Sequence, residues 1–154
     1  MIARHGPLGR ETQAEEARRF LADPSAWPTA VVLSGPPGIG KTTLWRELVA
    51  GIDDVLVLTA RAARPEVALS YAALDELLAP LVPAIENLPS PRRRALEAAL
   101  LLADVPRPPD QRAIGLAVAD LLGSQAGNRP VMVGLDDRQW LDQATAAVLA
   151  FGLR

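Results

Sequence analysis

The run Val31-Val32-Leu33-Ser34-Gly35-Pro36-Pro37-Gly38-Ile39-Gly40-Lys41-Thr42-Thr43-Leu44 constrains this 154-residue chain more than any other. Its first three residues are aliphatic and predict a short buried strand. Leu44 to Val49 predict a helix. Between them Gly35 to Thr42 fit the pattern G-x-x-x-x-G-K-[ST] at every fixed position. Strand, glycine-rich loop and helix is the context in which that pattern has a physical meaning.

The meaning is a phosphate cradle. A loop that turns its backbone N–H groups inward around an anion needs φ values and close approaches that a Cβ obstructs, hence Gly35, Gly38 and Gly40. Pro36 and Pro37 stiffen the loop, and Ile39 completes it. The helix start adds unpaired N–H groups and a partial positive charge. Lys41 can reach the β- and γ-phosphates, and the Thr42 hydroxyl can join the shell of a Mg²⁺, with Thr43 beside it. Gly35 to Thr43 are therefore the candidate nucleotide-binding residues of a Walker A loop. Lys41 is the chain's single lysine among 16 cationic side chains, so the other 15 are arginines. A compact ammonium was kept at the one place where it suits phosphate better than a planar fork.

Composition excludes several other chemistries. The chain has no cysteine and one histidine, which removes disulfides and thiolate or histidine zinc sites. A net charge of −2 offers no basic field for nucleic acid. No apolar run reaches the ~20 residues that span a bilayer, and the N-terminus lacks a signal-peptide core, so a cytoplasmic protein is expected.

Along the chain, residues 1–29 read as a loose start, a helix from Glu11 to Ala22 stopped by Asp23-Pro24, and a linker. Residues 30–60 read as a βαβ unit: the first strand, the helix closed by Gly51, and a second buried strand Val55 to Thr59, parallel to the first. Residues 66–127 read as a helical insert. Leu74, Leu77, Leu78 and Leu81 keep an i, i+3, i+4, i+7 period that Pro80 and Pro83 should interrupt. Ser90 and Pro91 suit the start of a helix running to about Ala103. Arg92-Arg93-Arg94 sit where three cations oppose the helix dipole. Asp110 suits the cap of a helix from Gln111 to about Ser124.

Residues 130–154 open on Val131-Met132-Val133-Gly134-Leu135-Asp136-Asp137, a hydrophobic strand ending in two carboxylates. That is the form of a Walker B element, and the C-terminal end of a parallel strand is where such sheets bind ligand. Asp136 is the candidate Mg²⁺ ligand with Thr42. Asp137 is the candidate catalytic acid that orients or deprotonates the attacking water. Asp142 suits the cap of a last helix, Gln143 to Leu153, and Trp140 reads as a packing anchor.

Taken together, Leu8-Gly9-Arg10-Glu11, the Walker A string, Tyr71-Ala72-Ala73-Leu74-Asp75-Glu76-Leu77-Leu78 and Asp136-Asp137-Arg138-Gln139-Trp140-Leu141-Asp142 resemble the N-terminal AAA-like module of large LuxR-type transcriptional regulators, members of the signal-transduction ATPases. The resemblance runs from about Leu8 to Arg154. It implies an α/β, three-layer P-loop NTPase fold with a parallel sheet and an all-helical insert. It also implies an ATP-dependent switch that uses Mg²⁺, gates self-association or binding to a related module, and hydrolyses ATP weakly or not at all. In the family the residues matching Leu8 and Gly9 lie near the adenine. Arg138 replaces a small or aliphatic residue beside the candidate acid, and Gly134 weakens the strand.

In that family a sensor strand, a helical lid, a repeat region and a DNA-binding domain follow. None follows Arg154, so the resemblance implies a truncated module, incomplete at its C-terminus and without DNA binding of its own. Val31–Leu33 and Val131–Leu135 would then flank an empty slot, unless the sheet closes up or recruits another chain. Two other readings stay open: a non-catalytic interaction fragment that binds through the open sheet, and a small P-loop kinase with the helical insert as its lid.

Overall fold

The computed structural model describes residues 11–21, 30–52, 54–104 and 106–154. The loose first residues, the helix stop at Asp23-Pro24 and the linker to Thr29 lie outside the described residues. The chain divides into two compact units, Met1–Asp54 and Val55–Arg154.

In the first unit, helix α1 spans Glu11–Leu21 and helix α2 spans Lys41–Ala50. Their apolar sides meet in a small core of Ala14, Leu44 and Leu48, with Ala17 and Leu33 against it. Leu44 and Leu48 stand one turn apart on α2 and are 3% and 0% exposed. Burial of each contributes about 1.5–3 kcal/mol. Gly51 closes α2 as expected, its N–H reaching the Leu48 carbonyl at 3.3 Å. Phe20 of α1 is 44% exposed.

The expected strand Val31–Leu33 does not form: residues 30–35 carry no regular secondary structure, and Val32 is 78% exposed. A strand draws its stability from ladder bonds to a neighbour, and the described residues of this unit include no other strand. The βαβ unit read over 30–60 is thus present as a loop, a helix and one later strand, and a boundary after Asp54 cuts it.

That later strand, β1 at Leu56–Arg61, belongs to the second unit and pairs in parallel with β2 at Val131–Asp136. The register runs from Leu56 opposite Val131 to Arg61 opposite Asp136. Parallel neighbours need a long crossover, and the helical segment between them supplies it. Leu58 and Ala60 of β1 are buried in a core that Val131, Val133 and Leu135 of β2 also touch. The alternate positions of β1 are less covered, and Thr59 and Arg61 are exposed. The strand read as fully buried is therefore buried on one face. The sequence is α/β as expected, and its sheet among the described residues is a parallel pair.

Helix α3, Ala72–Leu78, passes directly into a 3-10 segment, Ala79–Asn87. Pro80 and Pro83 account for the change, since each removes an N–H from the α pattern. The leucine period survives it: Leu74, Leu77, Leu78 and Leu81 are all at most 5% exposed. Helix α4 spans Ser90–Ala99, one residue earlier than expected at its start, with Pro89 at the cap position.

Helix α4 also stops four residues early. Leu101 adopts φ 54°. Its N–H bonds the Ala98 carbonyl at 3.2 Å, and the Leu102 N–H bonds that of Glu97 at 2.8 Å. This is the bond pair of a Schellman stop, a motif that usually places glycine where Leu101 stands.

Two of the three arginines of α4 have acidic partners, and Arg94 is exposed. Arg92 pairs with Asp120 on helix α5, Gln111–Ala126, and Arg93 lies 3.5 Å from Glu97 one turn on. Asp110 caps α5 as expected, accepting the Arg112 N–H at 2.7 Å. Helix α6, Gln143–Gly152, crosses α5 at a glycine contact. A Cβ on Gly115 would come within 2.6 Å of the Phe151 ring, and one on Gly152 within 2.9 Å of the Gly115 carbonyl oxygen.

Candidate functional site

The glycine-rich loop lies in the first unit. Gly38 and Gly40 have φ of 77° and 91°, values that L-residues with a Cβ rarely adopt. Gly40 is also the N-cap of α2, and no side chain caps that helix start. A helix start without a side-chain cap suits an anion. The Lys41 ammonium folds back over the loop and donates to the carbonyls of Gly35 at 3.0 Å and Pro36 at 3.1 Å. The lysine so ties the loop's beginning to its end. Pro36, Pro37 and Ile39 line the exposed outer turn, Thr42 is half-buried and Thr43 exposed.

The two candidate carboxylates lie in the second unit, at the C-terminal edge of the sheet. Asp136 ends β2, and Asp137 follows with φ 56°, ψ 39°. A left-handed aspartate is tolerated better than most residues, and such conformations gather at functional sites. The Asp137 N–H bonds the Asp136 Oδ1 at 3.0 Å, and the Gln139 amide donates to the Asp137 Oδ1 at 2.9 Å. A 3-10 turn, Arg138–Trp140, carries the chain onward.

The cation against these acids is not Arg138, whose side chain is exposed, but Arg61. Its Nε lies 3.5 Å from the Asp137 Oδ2 and 4.0 Å from the Asp136 Oδ2. The sequence reading named no role for Arg61. Only the register that sets it opposite Asp136 makes it visible. Three residues on, the Arg64 guanidinium stands 5.4 Å over the Trp140 ring, a cation–π contact.

The described residues contain no cluster of three or more His, Cys, Asp or Glu that could hold a metal alone. Two adjacent carboxylates still fit Mg²⁺, which keeps several waters and takes one or two carboxylates together with substrate phosphates. No described helix is long and apolar enough to cross a membrane.

Asp142 is placed for structure rather than chemistry. It is 3% exposed and caps α6 by accepting the Thr145 N–H at 2.8 Å. The same carboxylate accepts the N–H groups of Tyr71 at 2.9 Å and Ala73 at 3.5 Å. Thr145, fully buried, accepts the Leu74 N–H at 3.2 Å.

No curated protein and no solved structure matches the chain. The family model for an AAA ATPase domain matches residues 7–154, nearly the whole sequence. With a glycine-rich loop at a helix start and an acid pair at a parallel sheet's edge, the chain belongs to the AAA ATPase domain family, a group of P-loop NTPases that use nucleotide.

Proposed function

We propose that the chain is an ATP-binding regulatory module, an ATP-dependent switch with weak or no hydrolysis, of the kind found in LuxR-type regulators. The observation that carries this reading is the loop around Lys41, left-handed at Gly38 and Gly40, with its ammonium already held on the loop's own carbonyls. Gly35 to Thr43 would embrace the phosphates. Lys41 would exchange its two carbonyl partners for phosphate oxygens, and Thr42 and Asp136 would hold Mg²⁺, which neutralises phosphate charge. Asp137, fixed by Gln139, would orient a water. Support for the regulator reading comes from the Asp136-to-Asp142 string, in a cytoplasmic setting and without nucleic-acid contact by this chain.

A second reading has one observation in its favour. Among the described residues β2 has a strand neighbour on one side only, and Val131, Met132 and Val133 are half-exposed. An edge of that kind can add a strand from a second copy or a related module.

Thermal melts of the whole chain with and without Mg-ATP test the first reading. At 100 times the dissociation constant, ATP should add about 2.7 kcal/mol to the folded state. The Lys41→Ala variant should lose that gain while melting normally without nucleotide. An equal ATP response in both proteins would sink the proposal.

A further inference from the structure

The outer edge of β2 carries hydrogen-bonding groups that nothing described answers. The Pro130 carbonyl accepts the Leu56 N–H at 2.8 Å, and the Asp136 carbonyl accepts the Ala62 N–H at 3.1 Å. Backbone groups point to alternate sides along a strand, so the even-numbered residues of β2 face β1. The N–H and C=O groups of Val131, Val133 and Leu135 therefore point away from it. No backbone bond reaches them among the described residues.

Native sheets usually guard such an edge. The outer edge of β1 is guarded: its last N–H, that of Arg61, is closed by the Glu76 Oε2 on α3 at 2.9 Å. The outer edge of β2 is not. No charged side chain lies between Val131 and Leu135. Pro130 gives no protection either, because its carbonyl, and with it the place of its missing N–H, lies on the β1 side.

The charges flanking this edge are placed symmetrically. Arg129 stands four residues before Val133, and Asp137 stands four after it. Two such edges related by a two-fold axis through Val133 run antiparallel. Val133 then meets its own counterpart, Val131 meets Leu135, and Arg129 meets Asp137 of the second copy. The strand residues in these pairs all point outward, so each pair can exchange two hydrogen bonds. Arg129 is exposed, and no acid pairs with it among the described residues. Asp137 keeps Arg61 and Gln139, and an ionised carboxylate has acceptor sites to spare. Arg138 falls opposite Asn128, which is uncharged. A parallel pairing in register would instead set Asp136, Asp137 and Arg129 beside their own counterparts, where like charges repel. A slip by two residues would put Leu135 or Gln139 opposite Arg129.

We infer that the outer edge of β2 is a self-pairing surface, which joins a second copy of this chain antiparallel about Val133, with Arg129 of each copy on Asp137 of the other. The contact uses the same patch on both copies, so it closes at a dimer. Backbone bonds supply the attachment and the two charge pairs select the register. The inference rests on the reading of this edge as open.

Sedimentation equilibrium of the whole chain without nucleotide should show a mass that rises with concentration to twice that of one chain. Amide hydrogen exchange, read residue by residue by NMR at low and high concentration, should add protection at Val131, Val133 and Leu135 only where the dimer forms. Met132 and Gly134, bonded towards β1, should be protected at both concentrations. Val133→Pro removes only an outward N–H and should leave a monomer. Arg129→Glu should weaken the dimer roughly three- to thirtyfold, the scale of two exposed ion pairs. A single-chain mass at every concentration, with the three outward amides unprotected, overturns the self-pairing and leaves the edge open to a related module. The same amides protected in a monomer overturn the open-edge reading, and the inference with it. A dimer in which they stay unprotected, or one indifferent to Val133→Pro or Arg129→Glu, overturns the assigned surface. The wild-type exchange pattern decides the matter even where Val133→Pro fails to fold.

Discussion

The carboxylate of Asp142 accepts the backbone N–H of Tyr71 at 2.9 Å across 71 residues of sequence. With its bonds to Ala73 and Thr145 it serves the starts of both α3 and α6. Tyr71 is held there at φ 67°, a conformation that costs of order 1 kcal/mol for a residue with a Cβ and persists because the carboxylate receives its N–H. Asp142→Ala removes a cap and strands buried donors, so a loss of about 2–4 kcal/mol is expected in denaturant melts. Asp142→Asn keeps one acceptor oxygen for the Tyr71 and Thr145 N–H groups and should lose clearly less. Equal losses would mean that the negative charge, not the acceptor geometry, matters.

Asp137 allows conformation and chemistry to be separated. Asparagine tolerates the left-handed region about as well as aspartate, whereas a β-branched residue does not. Asp137→Asn should melt within about 0.5 kcal/mol of wild type, and Asp137→Val should lose about 1–2 kcal/mol. Any phosphate release shown by the wild type should fall to background in Asp137→Asn with ATP binding retained. Retained turnover would remove Asp137 from the catalytic role.

Leu101 offers a gain. It is 92% exposed, so its side chain contributes almost no burial, and it occupies the left-handed stop of α4. Leu101→Gly should stabilise the chain by about 1 kcal/mol, because the strain is relieved and no packing is lost. An unchanged or lower midpoint would show that the stop is not strained.

Gly152 has the opposite expectation. Its missing Cβ would sit 2.9 Å from the Gly115 carbonyl oxygen, a backbone atom that cannot rotate away. Gly152→Ala should force α5 and α6 apart and lose about 1–3 kcal/mol in equilibrium unfolding. Indifference to the extra methyl would show that the helices can slide.

The features legible in the sequence are those whose cause is local. Asp110 and Asp142 sit one position before a helical period, and both cap as read. Leu74 to Leu81 announce their own buried face, and the Val131–Asp136 strand announces its end. Most of what stayed hidden depends on partners far along the chain. Val31–Leu33 has the composition of a strand, but among the described residues of its unit no strand runs beside it. The early stop at Leu101 carries no glycine to betray it, and the second task of Asp142 needs Tyr71 to be brought alongside. In the candidate site, the loop and both acids could be read, while Arg61 could not, because its neighbour is chosen by strand register.

That register has a wider consequence. Leu58 and Ala60 choose the alignment of β1 on purely hydrophobic grounds, and the same alignment delivers Arg61 to Asp136. A slip of one residue would bury the guanidinium and put an alanine before the acids. The charge pairing at the sheet's edge is thus set by how oil-like side chains settle one and three residues away, so substitutions aimed at the packing of β1 will also disturb the Arg61–Asp136 pairing.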